Sequence, residues 1–102
     1  MSVSHTHSCF TTASFQEANW HNVEPLLESW KSLLQGLPGY IGSDFWIRRL
    51  ENGDVRCILR VGFEHREQLE EFLESRWAPE HVIASLEPQP YDVAIDHFEQ
   101  HL

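Results

Sequence analysis

The chain has 102 residues, enough for one domain with a single core. Four Trp, six Phe and two Tyr exclude a disordered chain. The net charge of −9 argues against a general nucleic-acid or anionic-membrane binder, since both need an excess of Lys and Arg.

In chain order, Ser2 to Thr12 alternates Val3, His5, His7 and Cys9 against Ser4, Thr6, Ser8 and Phe10, and this period of two predicts a strand. Ala13 to Asn19 reads as a loop. A helix is expected to start near Asn19 or Asn22, either of which can cap it, with Pro25 tolerable only in its first turn. Val23, Leu26, Leu27, Trp30, Leu33, Leu34 and Leu37 recur at helical spacing as one apolar stripe, and Gly36 is the expected C-cap. Leu37-Pro38-Gly39 breaks the helix before a strand from Tyr40 to Leu50. Asn52-Gly53 then predicts a two-residue type I′ turn, followed by a returning strand from Val55 to Phe63. Glu64 to Ser75 predicts a second amphipathic helix, with Leu69, Phe72 and Leu73 inward. Glu80 to Leu86 predicts a short third one, and Tyr91 to Phe98 alternates as a last strand.

The two-residue turn would set the hairpin register. Leu50 then faces Val55, Arg48 faces Cys57, Trp46 faces Leu59 and Asp44 faces Val61. Tyr40, Asp44, Trp46 and Arg48 would share a side with Val55, Cys57, Leu59, Val61 and Phe63, the nearly all-apolar side assigned to the helices. Ile41, Phe45, Ile47 and Ile58 would remain on the other side. A one-residue bulge at the turn would break this assignment.

The order β-α-β-β-α-β, with a small helix before the last strand, is the α+β ferredoxin-like pattern: an antiparallel sheet with its helices on one face, spanning residues 1–102 as a single domain. An open sheet face with large apolar groups usually marks an interface, so we expect a homodimer through that face. No run is long enough to cross a bilayer and the N-terminus has no signal-like core, so a soluble, cytoplasmic protein with no membrane or nucleic-acid partner is expected.

Arg48, Arg49, Arg56 and Arg60 are four of the seven basic residues, and all lie on the hairpin. That asymmetry suits an anionic ligand or a complementary partner, and solvated strand ends produce it too. Cys9 and Cys57 lack metal or redox spacing; Cys57 reads as a buried small hydrophobe, and one disulfide stays open. His5 and His7 share a strand face with His97 close by, but nothing is placed to complete a metal site, so no metal is expected and solvated or cavity-lining histidines are.

Leu37-Pro38-Gly39-Tyr40-Ile41-Gly42 is similar to the Pro/Glu-Gly-aromatic lead into strand two of the antibiotic biosynthesis monooxygenase family, one of the dimeric α+β barrel groups. Arg60-Val61-Gly62-Phe63-Glu64-His65-Arg66-Glu67-Gln68-Leu69 resembles that family's junction into helix two. His81 sits near where many members place a histidine in the short helix. The chain departs from the family at Phe63, where Trp is usual, and at Phe72, where helix two commonly places His.

The resemblance implies a cofactor-independent monooxygenase acting on a small hydrophobic aromatic substrate, a quinol or phenol, held between helices and sheet. Alternatively, it implies a non-catalytic dimeric module that binds a small molecule, or a haem-binding or haem-degrading relative. In the first case His81 or His7 is the base and Arg48 or Arg60 supplies positive charge. Asp44 would form a polar lip, with Trp46, Phe63, Phe72 and Trp77 as aromatic walls. The competing readings are that Asp44 and Arg48 are edge-strand charges reaching water, that His81 is an ordinary exposed histidine, and that Trp30, Phe63, Phe72 and Trp77 are plain core.

Overall fold

The computed structural model describes residues 6–101. Four strands form one antiparallel sheet: β1 (His7–Phe15), β2 (Tyr40–Arg49), β3 (Val55–Phe63) and β4 (Tyr91–Glu99), in the order β2-β3-β1-β4. Helix α1 (Glu17–Leu34) connects β1 to β2, while α2 (Arg66–Glu74) and α3 (Pro79–Ala84) connect β3 to β4. This is the α+β ferredoxin-like arrangement expected from the order of elements. Residues 2–5 of the expected first strand, His5 among them, lie outside the described residues. No described helix is long and apolar enough to cross a membrane.

The helices cover one face of the sheet. Val55, Cys57, Leu59, Val61 and Phe63 of β3 point into that layer, joined by Cys9, Ala13 and Phe15 of β1, and all are buried. Trp20, Val23, Leu27, Trp30 and Leu34 are the buried stripe of α1. Leu26 and Leu33, expected in that stripe, are instead more than half exposed, because the sheet accommodates only a narrow ridge of the helix. Phe63 packs on Phe72 with ring centroids 5.2 Å apart, and Trp20 bridges Phe15 and Phe45 at 5.8 and 6.5 Å. The Trp30 indole Nε1 donates to the Trp77 carbonyl at 3.0 Å, which fixes the loop before α3 onto α1.

Helix α1 begins earlier than its own sequence signals suggest. Neither Asn19 nor Asn22 caps it; the Asp54 carboxylate, at the tip of the β2–β3 hairpin, accepts from the Glu17 backbone N–H at 3.0 Å. Pro25 consequently falls inside the helix rather than in its first turn. It is exposed, as is His21, so the carbonyl that Pro25 leaves unbonded reaches water. At the other end Gln35, not Gly36, occupies the C-cap. The left-handed backbone falls instead at Gly39 (φ 77°), where a side chain would collide with Gln68. Gln68 is already engaged there, its Oε1 accepting from the His65 N–H at 3.0 Å to cap α2.

The hairpin register differs from expectation by one residue. The turn is a three-residue loop rather than a two-residue one: the Gly53 N–H donates to the Leu50 carbonyl at 3.0 Å, and the Leu50 N–H to the Asp54 carbonyl at 2.8 Å. Gly53 alone has positive φ (90°) and Asn52 does not, so a type I turn followed by a left-handed glycine replaces type I′. Arg49 therefore pairs with Val55, Ile47 with Cys57 and Phe45 with Leu59. Ser43, Phe45, Ile47 and Arg49 face the helix side, and Asp44, Trp46 and Arg48 lie on the open face. A second irregularity near Ile41 sets Tyr40 opposite Phe63 and so returns it to the helix side expected of it.

The register arranges the open face in rows across the four strands. Gly42, Gly62, Ser8 and Phe98 form the first; Asp44, Arg60, Phe10 and Asp96 the second. Trp46, Ile58, Thr12 and Ala94 follow, then Arg48, Arg56, Ser14 and Tyr91. The open face thus carries Trp46, Ile58 and Phe98 rather than Phe45 and Ile47, and no described element covers it.

Candidate functional site

A cleft opens on the helix side of the sheet, along the edge strand β4. Its larger part is a 470 Å³ cavity under α2 and α3, walled by Leu73, Ala78, Pro79, Val93 and Ile95, with Glu80 and His97 as its polar groups. A second cavity of 230 Å³ adjoins it through His97 and is lined by His7, Arg66, Leu69, Glu70 and Glu99. Strand alternation produces this layout: Val93, Ile95, His97 and Glu99 share the helix-facing side of β4, so an apolar run ends in an imidazole and a carboxylate. His7 is directly opposite Glu99 on β1, and its Nε2 lies 3.8 Å from Glu99 Oε1. Glu99 Oε2 is 2.8 Å from His101 Nε2, and Arg66 is tied to Glu70 at 3.0 Å.

The arrangement joins an apolar compartment to a polar one containing two imidazoles. An aromatic ring fits the former; a hydroxyl at its end would reach an imidazole nitrogen. No group of His, Cys, Asp or Glu suited to holding a metal ion occurs among the described residues. Cys9 and Cys57 are both free and buried. Burial pushes both thiols up to about 11, so they stay protonated and unreactive at neutral pH.

The expected site residues fall into four separate places. His7 lines the cleft. His81 is exposed on α3 and lines neither of its cavities. Phe63, Phe72 and Trp30 are packed in the core and Trp77 is half-buried against it; Phe63 and Phe72 border a 170 Å³ hollow beneath Pro38, away from the cleft. Asp44, Trp46, Arg48 and Arg60 are on the opposite face of the sheet, so they cannot form a lip or wall of a helix–sheet pocket. There Arg60 Nε donates to Asp44 at 2.6 Å and Nη1 to Ser8 Oγ at 3.1 Å. The cleft residues that sequence reasoning left out of the site include Arg66, Glu70, Leu73, Val93, Ile95 and Glu99. The signal for them was the apolar alternation of β4 ending in His97, beside a helix with only Leu69, Phe72 and Leu73 to cover it.

The fold and cleft place the chain among ferredoxin-like α+β proteins with a helix–sheet pocket. No protein-family model matches the sequence, and no functionally curated protein does. Among solved structures, its neighbours include antibiotic biosynthesis monooxygenase family proteins, and its fold is theirs. A Nitrosomonas europaea protein provisionally assigned as an antibiotic biosynthesis monooxygenase superposes with a TM-score of 0.68 at 11% identity, over 98% of this chain and 92% of that one. A Shewanella oneidensis protein, SO0527, gives 0.75 at 12% identity over 96% and 93%. The haem degrader MhuD of Mycobacterium tuberculosis, solved with two haems in its active site, gives 0.65 at 16% identity over 94% and 96%. At these identities the likeness is one of fold.

Proposed function

We propose that the chain binds a small, largely apolar aromatic phenol or quinol in the cleft beside β4 and oxygenates it without a cofactor. The observation that carries this reading is the 470 Å³ apolar cavity ending at His97, with His7 and Glu99 beyond it. His97 or His7 takes the phenolic proton, and the apolar wall of Leu73, Val93 and Ile95 shields one side of the phenolate from water and offers it no hydrogen bond. Dioxygen adds to a ring carbon to give a hydroperoxide. Loss of water then leaves the quinone, so phenol and O2 become quinone and water with no external reductant. The likeness to structures described as monooxygenases supports this class of reaction. His97 and His7 replace His81 as the candidate bases, because they line the cleft and His81 does not.

One observation favours a second reading, a ligand-binding module without catalysis. Phe72 on α2 is buried against Phe63 and gives the site no polar group. The two are separated by titrating the protein with 2-naphthol, 1,4-naphthoquinol and haemin, with and without O2. Catalysis predicts O2-dependent quinone formation that His97→Ala lowers by roughly 10²–10⁴-fold, the usual worth of a positioned general base. Saturable binding of the naphthol without turnover would establish the module instead, and a Soret shift confined to haemin would point to the haem-binding alternative. Failure of every probe to bind would remove the cleft as a ligand site.

A further inference from the structure

The carboxylates of this chain are unevenly placed. Residues 64–99, which run through α2, α3 and β4, hold ten of the sixteen, with only Arg66 and Arg76 of the seven bases. That segment therefore carries −8 of the net charge of −9, and the rest of the chain is close to balance. All the residues lining the 470 Å³ cavity come from it. The cleft is thus built by the acidic part of the molecule, and the hairpin with its arginines lies elsewhere.

The two bases of that segment do not offset the charge at the cavity. Arg66 is bound to Glu70 at 3.0 Å, and Arg76 lies over the Trp77 ring, 4.7 Å from its centroid, lining neither part of the cleft. Of the three cleft carboxylates, Glu70 is held by Arg66 and Glu99 by His101, at 2.8 Å. Glu80 has no ion-pair partner among the described residues. A carboxylate in the first turn of α3 favours that helix, but Glu80 is also one of the two polar side chains lining a cavity otherwise walled by apolar ones. The other is His97. A ligand in this cavity therefore meets an imidazole nitrogen and a free carboxylate. A cation is attracted by that carboxylate and by the acidic surroundings together, whereas an anion is repelled and finds no unpaired guanidinium on the cleft to receive it.

We propose that the cleft takes a phenol carrying a protonated aliphatic amine, its hydroxyl toward His97 and its ammonium on Glu80, and that it discriminates against aromatic acids. This ligand class rests on the cleft reading above and narrows it. Glu80 is exposed, so the ammonium stays in contact with water while the ring lies on the apolar wall, and no charge is stripped of its solvent. The two polar side chains together give the ring one preferred direction.

The test uses three compounds that share one hydroxylated ring system: 5-hydroxytryptamine, an ammonium; 5-hydroxytryptophol, neutral; and 5-hydroxyindole-3-acetate, a carboxylate. Their dissociation constants are measured by equilibrium dialysis at low and at high salt. At low salt the amine is expected to bind about threefold more tightly than the alcohol, and the alcohol about threefold more tightly than the acid, the range that a solvent-exposed ion pair supplies. Both ratios should fall toward one at about 0.5 M salt. Glu80→Gln should remove the amine's advantage and leave the alcohol's affinity unchanged. Glu51→Gln, an equal change of charge on the exposed hairpin loop, should leave both ratios as they are. Equal affinities for the three compounds at low salt, or tightest binding of the acid, would overturn the ligand class and leave the cleft standing as an aromatic site. An amine preference that survives Glu80→Gln would overturn the seat of the ammonium. If none of the three binds, the cleft reading itself fails, and the ligand class with it.

Discussion

Asp54 does more than flank a turn. Its carboxylate accepts from the Tyr91 hydroxyl at 2.5 Å, from the Glu17 backbone N–H at 3.0 Å and from Asn52 Nδ2 at 3.1 Å. One side chain thereby joins the hairpin tip, the start of α1 and the start of β4. The Tyr91 hydrogen bond, then the Glu17 N–H, hold its carboxyl below the ordinary value of 3.8, and the same Asp54–Tyr91 bond raises the Tyr91 phenol. A depressed carboxyl stabilises the fold fully above that ordinary value, and the contribution is lost as pH falls through the folded-state value. Asp54→Asn is therefore expected to lower the melting temperature at pH 7, with the gap from wild type closing as melts are taken at successively lower pH below about 4. A constant gap across that range would mean that the charge is immaterial. The cap was not legible beforehand, because it comes from a residue 37 positions further along the chain.

At the scale of elements, what the sequence shows most directly is local. Apolar residues at every second position in β3 and β4, and at every third or fourth in α1, are visible in a short window and give the element order directly. The face that β2 presents is not of that kind. It depends on whether the loop at Asn52-Gly53 holds two residues or three, a difference in the backbone angles of Asn52 that the residue pair alone does not determine. Trp46 and Phe45 are both large and apolar, so hydrophobic pattern cannot choose between them. The same locality explains Pro25: its exposed position is compatible with α1 only because Asp54 starts the helix two turns upstream. Pro25→Ala restores the backbone bond to His21 and is expected to raise stability by roughly 1–3 kcal/mol, less whatever the more flexible unfolded chain returns. A shift in the urea midpoint with an unchanged slope is the measurement; no shift would mean that the helix is already relaxed around the proline.

For the whole molecule, the site was less legible than the fold, and for a spatial reason. Motif positions such as Phe63 and Phe72 are readable one at a time, but the cleft is where β4, β1 and α2 come together. His7 and His97 could be placed as neighbours because antiparallel pairing of first and last strands follows from the element order. Arg66 and Glu70 could not, since nothing local says how α2 sits over β4. The two buried cysteines report on the molecule as a unit. Cys9 on β1 and Cys57 on β3 lie on different strands yet both are at most 5% exposed, so neither is reached without opening the core. A thiol reagent at pH 8 is expected to label both at one common slow rate that rises steeply with denaturant. Faster labelling of one would reveal a part of the sheet that opens by itself.

The β2 strand is bracketed by two one-residue irregularities, the extra residue of the hairpin loop and the break near Ile41. Only residues 42–49 between them are offset. The offset is thus a self-contained cassette: losing one residue at the loop together with the break would turn Trp46 and Arg48 inward and Phe45 and Ile47 outward, with the strand's entrance and every other pairing left in place. In evolutionary terms, one small length change at the loop, with Ile41 drawn into regular pairing, can exchange the inner and outer faces of this edge wholesale. That would move its indole and guanidinium from the open face to the helix-facing side without a single side chain being replaced.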